Sequence, residues 1–293
     1  MNYLLQQIIN SLGFGSIIAL LAAGYTMTFG LIGLVNFAHG EVFMGGAFTA
    51  YFILTILKLP FLLAVLMAIV GSVIIGVALE RIAFKPVRGS GMITLFIIGL
   101  GASQILRNLT IMLFDPRLKG FAVPDFLKGI YMLGEVMIFK KTLVIFLAVL
   151  VICTILIYLV KNTKTGIAMR CISYDTQIAQ SLGMNTEKII IITFIISSAL
   201  AGFAAILWGY IYGSVNAAMG VYAIVNAFVA SVIGGVGNVL GAVVAGYIIA
   251  IGGNLFIAFL PPDLVGLRPL FVWIVFFIIL IFKPSGLFRA NIK

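Results

Sequence analysis

No Asp, Glu, Lys or Arg occurs between Met1 and Ala38; His39 and Glu41 then follow at once. With Asn36 they form the cluster Asn36-Phe37-Ala38-His39-Gly40-Glu41, which has long apolar runs on both sides. An ionisable pair in that setting lies at a membrane boundary or in the protein interior, because a charge facing lipid costs several kcal/mol. It is the first candidate for a functional site. The rest of the chain limits its chemistry. His39 is the only histidine, and one histidine cannot build a metal site. No nucleophile–base pair suggests an enzyme. There is no Gly-x-x-x-x-Gly-Lys-Ser/Thr phosphate loop; Gly234-Gly235-Val236-Gly237-Asn238 is glycine-rich but lacks the lysine. Hydrogen bonding and charge remain, with no cofactor expected.

The elements that must position this cluster follow from composition. Hydrophobic residues make up 63% of the 293 residues and charged residues only 9%, whereas soluble domains carry about 25% charged residues. Mean hydropathy is +1.27. Such a chain cannot present a wettable surface, so the expected fold is an all-α integral membrane protein, a single permeability-barrier domain over 1–293. Apolar runs fall at 10–34, 42–57, 61–80, 92–114, 142–160, 189–212, 218–233, 239–260 and 269–282. They are too long for barrel strands and do not alternate. A polytopic bundle of about eight to nine transmembrane or re-entrant helices is expected.

The formal charge of +10 reads as loop charge that orients the chain in a bilayer, not as a nucleic-acid surface. Three basic groups stand out: Arg81, Lys85 and Arg88; Lys161, Lys164, Arg170 and Lys188; and Lys283, Arg289 and Lys293. Even numbers of spans separate them, so all three fit the cytoplasmic side and 115–141 lies outside. If 42–57 crosses fully, the N-terminus is outside; if 36–57 is re-entrant, it is inside. Cys153 in a span and Cys171 in a loop should not meet.

Residues 161–188 form the longest cytoplasmic connection, and they are patterned. Ile167, Cys171 and Tyr174 follow helical spacing, as do Ile178 and Leu182. Asp175 is placed to cap a short helix from Thr176 to Leu182, and Gly183 and Asn185 to supply a left-handed stop. Two short amphipathic helices are expected at the membrane face, with Arg170 and Asp175 paired either locally or across an interface with a cytoplasmic partner. Elsewhere, Gly237, Gly241 and Ala245 recur at every fourth position, a spacing that lets helix backbones approach closely. Gly234 and Gly235 precede them, and this region serves helix packing. The Asn36–Gly46 and Gly234–Gly246 regions both show a glycine-rich interruption followed by a small-residue helix, a hint of an internal repeat.

Ala179-x-x-x-Gly183, in a loop before a late span, resembles the core of the coupling loop in ABC-importer permeases. Gly33-Leu-Val-Asn-Phe-Ala-His-Gly-Glu41 with Gly45-Gly46-Ala47 is similar to the signature of branched-chain amino acid permeases. So are Gly166-x-Ala168-x-Arg170, Asp175, Ala179, Gly183-Met-Asn185, Thr193-Phe194, Ala201-Gly202 and Gly234-Gly235-x-Gly237-Asn238-x-x-Gly241-Ala242. The likeness covers essentially the whole chain and is nearest to the shorter, LivH-type permease subunits. Cys171-Ile172 and Met184 depart from the usual pattern.

The resemblance implies a transport subunit, not an enzyme, in the bacterial inner membrane. Leucine, isoleucine or valine would be delivered by a periplasmic or lipid-anchored binding protein. A second, homologous permease would complete the pore as a heterodimer, and two cytoplasmic ATP-binding subunits would drive it. Gly166, Arg170, Asp175, Ala179 and Gly183 would then carry the ATPase coupling. Related permeases carry urea or short amides, which is one alternative; a self-sufficient secondary transporter or channel is the other. A path for a zwitterion with an apolar side chain needs mostly apolar walls and a few polar groups. Asn36, His39, Glu41, Ser103, Gln104, Ser197, Ser198 and Asn226 are the expected path residues. For His39 and Glu41, a second reading is that they pin the broken start of the second segment through backbone hydrogen bonds.

Overall fold

The computed structural model describes residues 2–33 and 35–288. Leu34, Arg289 and Lys293, which the sequence reading used, lie outside the described residues. The chain is helical almost throughout: α1 (Asn2–Ile32), α2 (His39–Tyr51), α3 (Phe61–Ala78), α4 (Met92–Phe114), α5 (Lys140–Asn162), α6 (Lys164–Tyr174), α7 (Thr176–Ser181), α8 (Thr186–Tyr212), α9 (Met219–Gly234), α10 (Val239–Ala258) and α11 (Arg268–Phe282). Among the described residues, 7 helices are long and apolar enough to cross a membrane. The two shorter ones are α2, which a π-helical turn over Phe52–Ile56 extends, and α9. This is a multi-pass membrane protein.

Contacts along the helices fix their directions. Gly24 of α1 lies against Ser197 of α8, and Phe14 packs on Trp208, so α1 and α8 are antiparallel. Phe61 packs on Tyr210 and Phe84 on Phe194, so α3 is antiparallel to α8. Gly15 meets Tyr247 and Gly30 meets Gly237, which makes α10 antiparallel to α1. Lys85 pairs with Glu187 at 3.0 Å. Leu287 N–H donates to Ile233 O at 2.7 Å. These contacts bring the basic groups at 81–88, 161–188 and 283 to one end of the bundle, here the loop end, as the charge pattern implies. The N-terminus lies at the far end, where Gln6 bonds to Met137 in both directions at 2.8 Å. The N-terminus therefore lies opposite the basic groups, as in the branch where 42–57 crosses fully, although α2 itself begins only part-way along the bundle, level with Ser197.

The far-end segment 115–141 was expected only to lie outside. It folds into a hairpin, Ile130–Leu133 against Val136–Phe139, and a two-residue strand, Lys119–Gly120, pairs with Ser214–Val215. The hairpin turns at Leu133-Gly134-Glu135-Val136, where Gly134 has φ +62°. That turn signal was legible.

The helices form two similar sets. A shift of 180 positions aligns Gly33-x-Val35-Asn36-x-Ala38-x-Gly40 with Gly213-x-Val215-Asn216-x-Ala218-x-Gly220, and Ala47-Phe48-x-Ala50 with Ala227-Phe228-x-Ala230. Under the same shift α1, α2, α3 and α4 correspond to α8, α9, α10 and α11. Because α1 and α8 are antiparallel, the two sets are inverted relative to each other, an arrangement common in transporters. The packing obeys the relation: α3 lies on α8 as α10 lies on α1. This corrects the hinted repeat between Asn36–Gly46 and Gly234–Gly246; the true partner of the Asn36 region begins at Gly213. α1 and α8 are largely buried and form the centre, whereas α4 and α11 sit at the periphery with mostly exposed faces. With no hydrophobic force between helices in lipid, close approach at small residues holds the centre. Gly46, Gly202 and Ser72 meet there, as do Gly246 and Ala19.

Candidate functional site

Each inverted set has a break before its short helix. In the first set α1 ends near the loop end, and Gly33 (φ +67°) turns the chain back into the bundle. α2 then starts at His39, level with Ser197 in the middle of α8. In the second set α8 ends at the far end, Gly213 (φ +65°) turns the chain back, and α9 starts at Met219. The two starts meet backbone to backbone. A Cβ on Gly40 would strike the Gly220 carbonyl, and a Cβ on Gly220 would strike the Gly40 carbonyl. Only glycine fits at this crossing.

The polar side chains around the crossing are unequal. His39 and Glu41 are both 1% exposed and Asn36 is 2% exposed. His39 points toward α1 and α8: its Nδ1 lies 3.5 Å from Ser197 Oγ, and its Nε2 borders Gly24. Glu41 points the other way, toward α4 and α9: Ser103 Oγ donates to Glu41 Oε1 at 3.0 Å, and Oε2 borders Gly220. Among the described residues Asn36 Oδ1, His39 Nε2 and Glu41 Oε2 have no hydrogen-bond partner, and neither does Tyr25 Oη beside them. In the second set the equivalent Asn216 accepts from Ala218 N–H at 3.0 Å, and Met219 and Val221 replace His39 and Glu41.

The expected path residues thus separate. Asn36, His39, Glu41, Ser103 and Ser197 form one polar layer at the crossing, on two faces of α2. Ser198 packs under Gly76 in the α3–α8 contact. Asn226 donates its side-chain amide to Tyr222 O, 2.8 Å away on its own helix. Gln104 is exposed and bonds to Arg107. Ser198 and Gln104 are not brought to the layer, because each directly follows a layer residue, Ser197 or Ser103, and i±1 neighbours face different ways on a helix; Asn226 turns its amide back onto its own helix.

The loop between α5 and α8 holds the two expected short helices. Thr163 caps α6, its Oγ1 accepting from Gly166 N–H at 3.2 Å. Asp175 caps α7, its Oδ1 accepting from Gln177 and Ile178 N–H at 2.7 and 2.9 Å. Gly166 touches the Leu159 and Val160 carbonyls so closely that a side chain would not fit. Gly183 (φ +78°) ends α7 as expected. Asn185 does not share in the stop; it caps α8 instead, accepting from Lys188 N–H at 3.0 Å. Arg170 and Asp175 are not paired: Arg170 donates to the Val160 and Lys161 carbonyls at the end of α5, while Asp175 is committed to its cap. Ala179 is buried within the chain at 1% exposure, and the large apolar side chains that the loop exposes are Ile167, Tyr174, Ile178 and Leu182. A cavity of about 1080 Å³ lies between these helices, the end of α1 and the 236–240 turn. Thr26 Oγ1 accepts from Gly237 N–H at 3.0 Å across its wall.

The small residues at 234–245 make close contacts. Gly234 and Gly241 touch across the turn that links α9 to α10, Gly237 lies against Gly30, and Ala245 is fully buried. Gly235 (φ +98°) sits against the Phe288 carbonyl.

The family model for the branched-chain amino acid transport system permease component matches residues 7–282. The chain belongs to this permease family. It is 34% identical to the high-affinity branched-chain amino acid transport system permease protein BraD of Pseudomonas aeruginosa, over 97% of this chain and 95% of that one. It is 33% identical to LivH of Escherichia coli K12, named for the same high-affinity system, over 97% and 95%. A probable branched-chain amino acid transport permease protein LivH of Methanocaldococcus jannaschii is 31% identical over 83% of this chain and 78% of that one. In this permease, the residues the sequence reading missed are Gly220 and Asn216. The repeated Val-Asn-x-Ala-x-Gly was the signal that marks them.

Proposed function

We propose that this permease is the membrane-spanning subunit of an ATP-driven importer for leucine, isoleucine or valine in the bacterial inner membrane. Family membership and the named activity of its relatives support the substrate class. The loop end faces the cytoplasm, where basic loops are retained. Two ATP-binding subunits dock on α6 and α7, a second homologous permease completes the pore, and a periplasmic or lipid-anchored binding protein docks at the far end.

The observation that carries the coupling role is the loop itself. It is a rigid pair of capped helices with the apolar row Tyr174, Ile178 and Leu182 exposed beside a cavity. An unpartnered apolar row of this kind suits a groove in another protein. Arg170 fastens α6 to the end of α5, and the 236–240 turn is fastened to α1 through Thr26. A push on α7 therefore reaches the end of α1, and α1 leads directly into the break before α2. At that break Asn36, His39 and Glu41 line the path, with Ser103 and Ser197 holding the latter two. Buried polar atoms left without partners in a membrane interior are expensive and mark sites where a polar ligand or water is handled.

The test is reconstitution of the chain with its second permease, ATPases and binding protein in liposomes. Leucine uptake that needs ATP and every subunit is expected. Uptake by this chain alone, without ATPase, contradicts the reading and favours a secondary transporter or channel. Uptake of urea or short amides in place of leucine corrects the substrate.

A further inference from the structure

The inverted repeat exposes a second site through one unequal pair of arginines. In each set the third helix ends in a short 3-10 turn, Lys85–Val87 or Pro262–Leu267, and an arginine follows at once: Arg88 in the first set and Arg268 in the second. Arg88 has its own carboxylate, the buried Glu80, 1% exposed and also within 3.6 Å of Arg81. The position equivalent to Glu80 in the second set is Leu260. Arg268 accordingly has no ion pair among the described residues, and its Nη2 is shielded from solvent without a hydrogen-bond acceptor. Its guanidinium lies over the Phe14 ring, 4.5 Å from the centroid. Phe14 packs on Tyr222 and Trp208 at 6.1 and 6.4 Å, and Trp208 packs on Phe43 at 5.8 Å. Phe43 lies on α2 next to His39 and Glu41. Tyr222 and Tyr212 are 37% and 44% exposed, so the cluster opens at the far end.

We propose that Arg268 is a carboxylate-receiving residue at the outer mouth of the path, with Phe14, Trp208 and Tyr222 as the wall for the apolar side chain of the same substrate. The inference rests on the amino acid import reading above and adds a binding site to it. A guanidinium whose shielded Nη2 has no acceptor among the described residues is poised for an oxyanion, because charge-assisted hydrogen bonds strengthen where water is excluded. The first set supplies Glu80 there; the second has Leu260, so a carboxylate for Arg268 has to come from outside. The aromatic run then leads from Arg268 toward the polar layer at α2, which a lipid headgroup would have no use for. An anionic lipid phosphate offers the same chemistry, and the test separates the two.

The full assembly, in nanodiscs of neutral lipid, carries Trp273→Phe so that Trp208 is this subunit's only tryptophan, with the partner subunits' emission subtracted from a Trp208→Phe control. Trp208 emission is titrated with L-leucine and with leucinamide. A saturable response to leucine and none to leucinamide is expected. Arg268→Gln should weaken the leucine response about tenfold, the size of one lost charge-assisted hydrogen bond. Leu260→Glu, which restores the missing carboxylate, should weaken it similarly while thermal stability is kept. Arg268→Lys should retain part of it. An unchanged response in Arg268→Gln, or no saturable response in an assembly that takes up leucine, overturns the proposal and leaves the import reading standing. A response to phosphatidylglycerol and none to leucine also overturns it, assigning Arg268 to lipid. If the complete assembly takes up no leucine at all, the import reading fails first and takes this proposal with it.

Discussion

The two breaks before α2 and α9 have the same backbone plan and different side-chain states. Both use a left-handed glycine, then Val-Asn-x-Ala-x-Gly, and both glycines are needed where the helix starts touch. Before α9 the side chains of the break are satisfied or apolar: Asn216 closes its own turn, and the positions aligned with His39 and Glu41 are Met219 and Val221. Around α2 they are not: Asn36, His39 and Glu41 each keep a buried polar atom without a partner. Asn36 and Asn216 occupy the same place in the two sets, yet only Asn216 closes its turn. In the proposed importer the α9 break is architecture, and the α2 break keeps its polar atoms for the substrate.

The largest expected effect comes from the shared element. Gly40→Val or Gly220→Val drives a side chain into a backbone carbonyl with no room to relax. Overpacking of that kind costs about 1–3 kcal/mol or more, and both variants should fall sharply in yield of folded, monodisperse protein. Either one folding normally would break the inferred crossing. Next in size, Leu182→Asp on the exposed row of α7 should leave membrane insertion and stability intact while ATP hydrolysis loses its link to uptake. Normal uptake would remove the docking role from that row. Ala179→Glu differs, since Ala179 is buried inside the chain; an unpaired charge there should damage the loop's own folding as well.

A smaller and sharper contrast lies at Glu41. Glu41→Gln keeps the bond from Ser103 and removes the charge; Glu41→Ala removes both. If Gln transports and Ala does not, the residue pins α2 to α4. If both abolish uptake in an assembled complex, the charge itself acts on the path. Within a membrane interior the Ser103 bond is worth only about 0.6–2 kcal/mol, so assembly should survive in both.

Much of this was legible before any coordinates. Apolar runs gave the helices and their order, because only helices satisfy their backbone inside lipid. Asp175 and Gly183 read correctly as cap and stop, since those roles depend on local chemistry alone. Asn185 was misread as part of the stop because the same residue type serves a left-handed turn and a helix cap, and the following helix decided between them. The local pairing of Arg170 with Asp175 is absent for a similar reason: both have nearer backbone partners. Ser198, Gln104 and Asn226 were taken with the path because polarity in a span was the only criterion. Which face a residue presents depends on neighbouring helices that no single segment reveals. The inverted repeat was hidden by its spacing, since its two copies lie far apart and share only small, common residues.

The most direct test of the unequal breaks is a paired measurement of uptake per assembled complex and thermal stability for Asn36→Ala and Asn216→Ala. Asn216→Ala should lose about 1 kcal/mol of stability, the typical worth of one hydrogen bond, and keep leucine uptake. Asn36→Ala, which removes a carbonyl oxygen with no partner, should keep wild-type stability and lose most uptake. Equal behaviour of the two variants, or uptake lost only in Asn216→Ala, would contradict the division between a working break and a structural one.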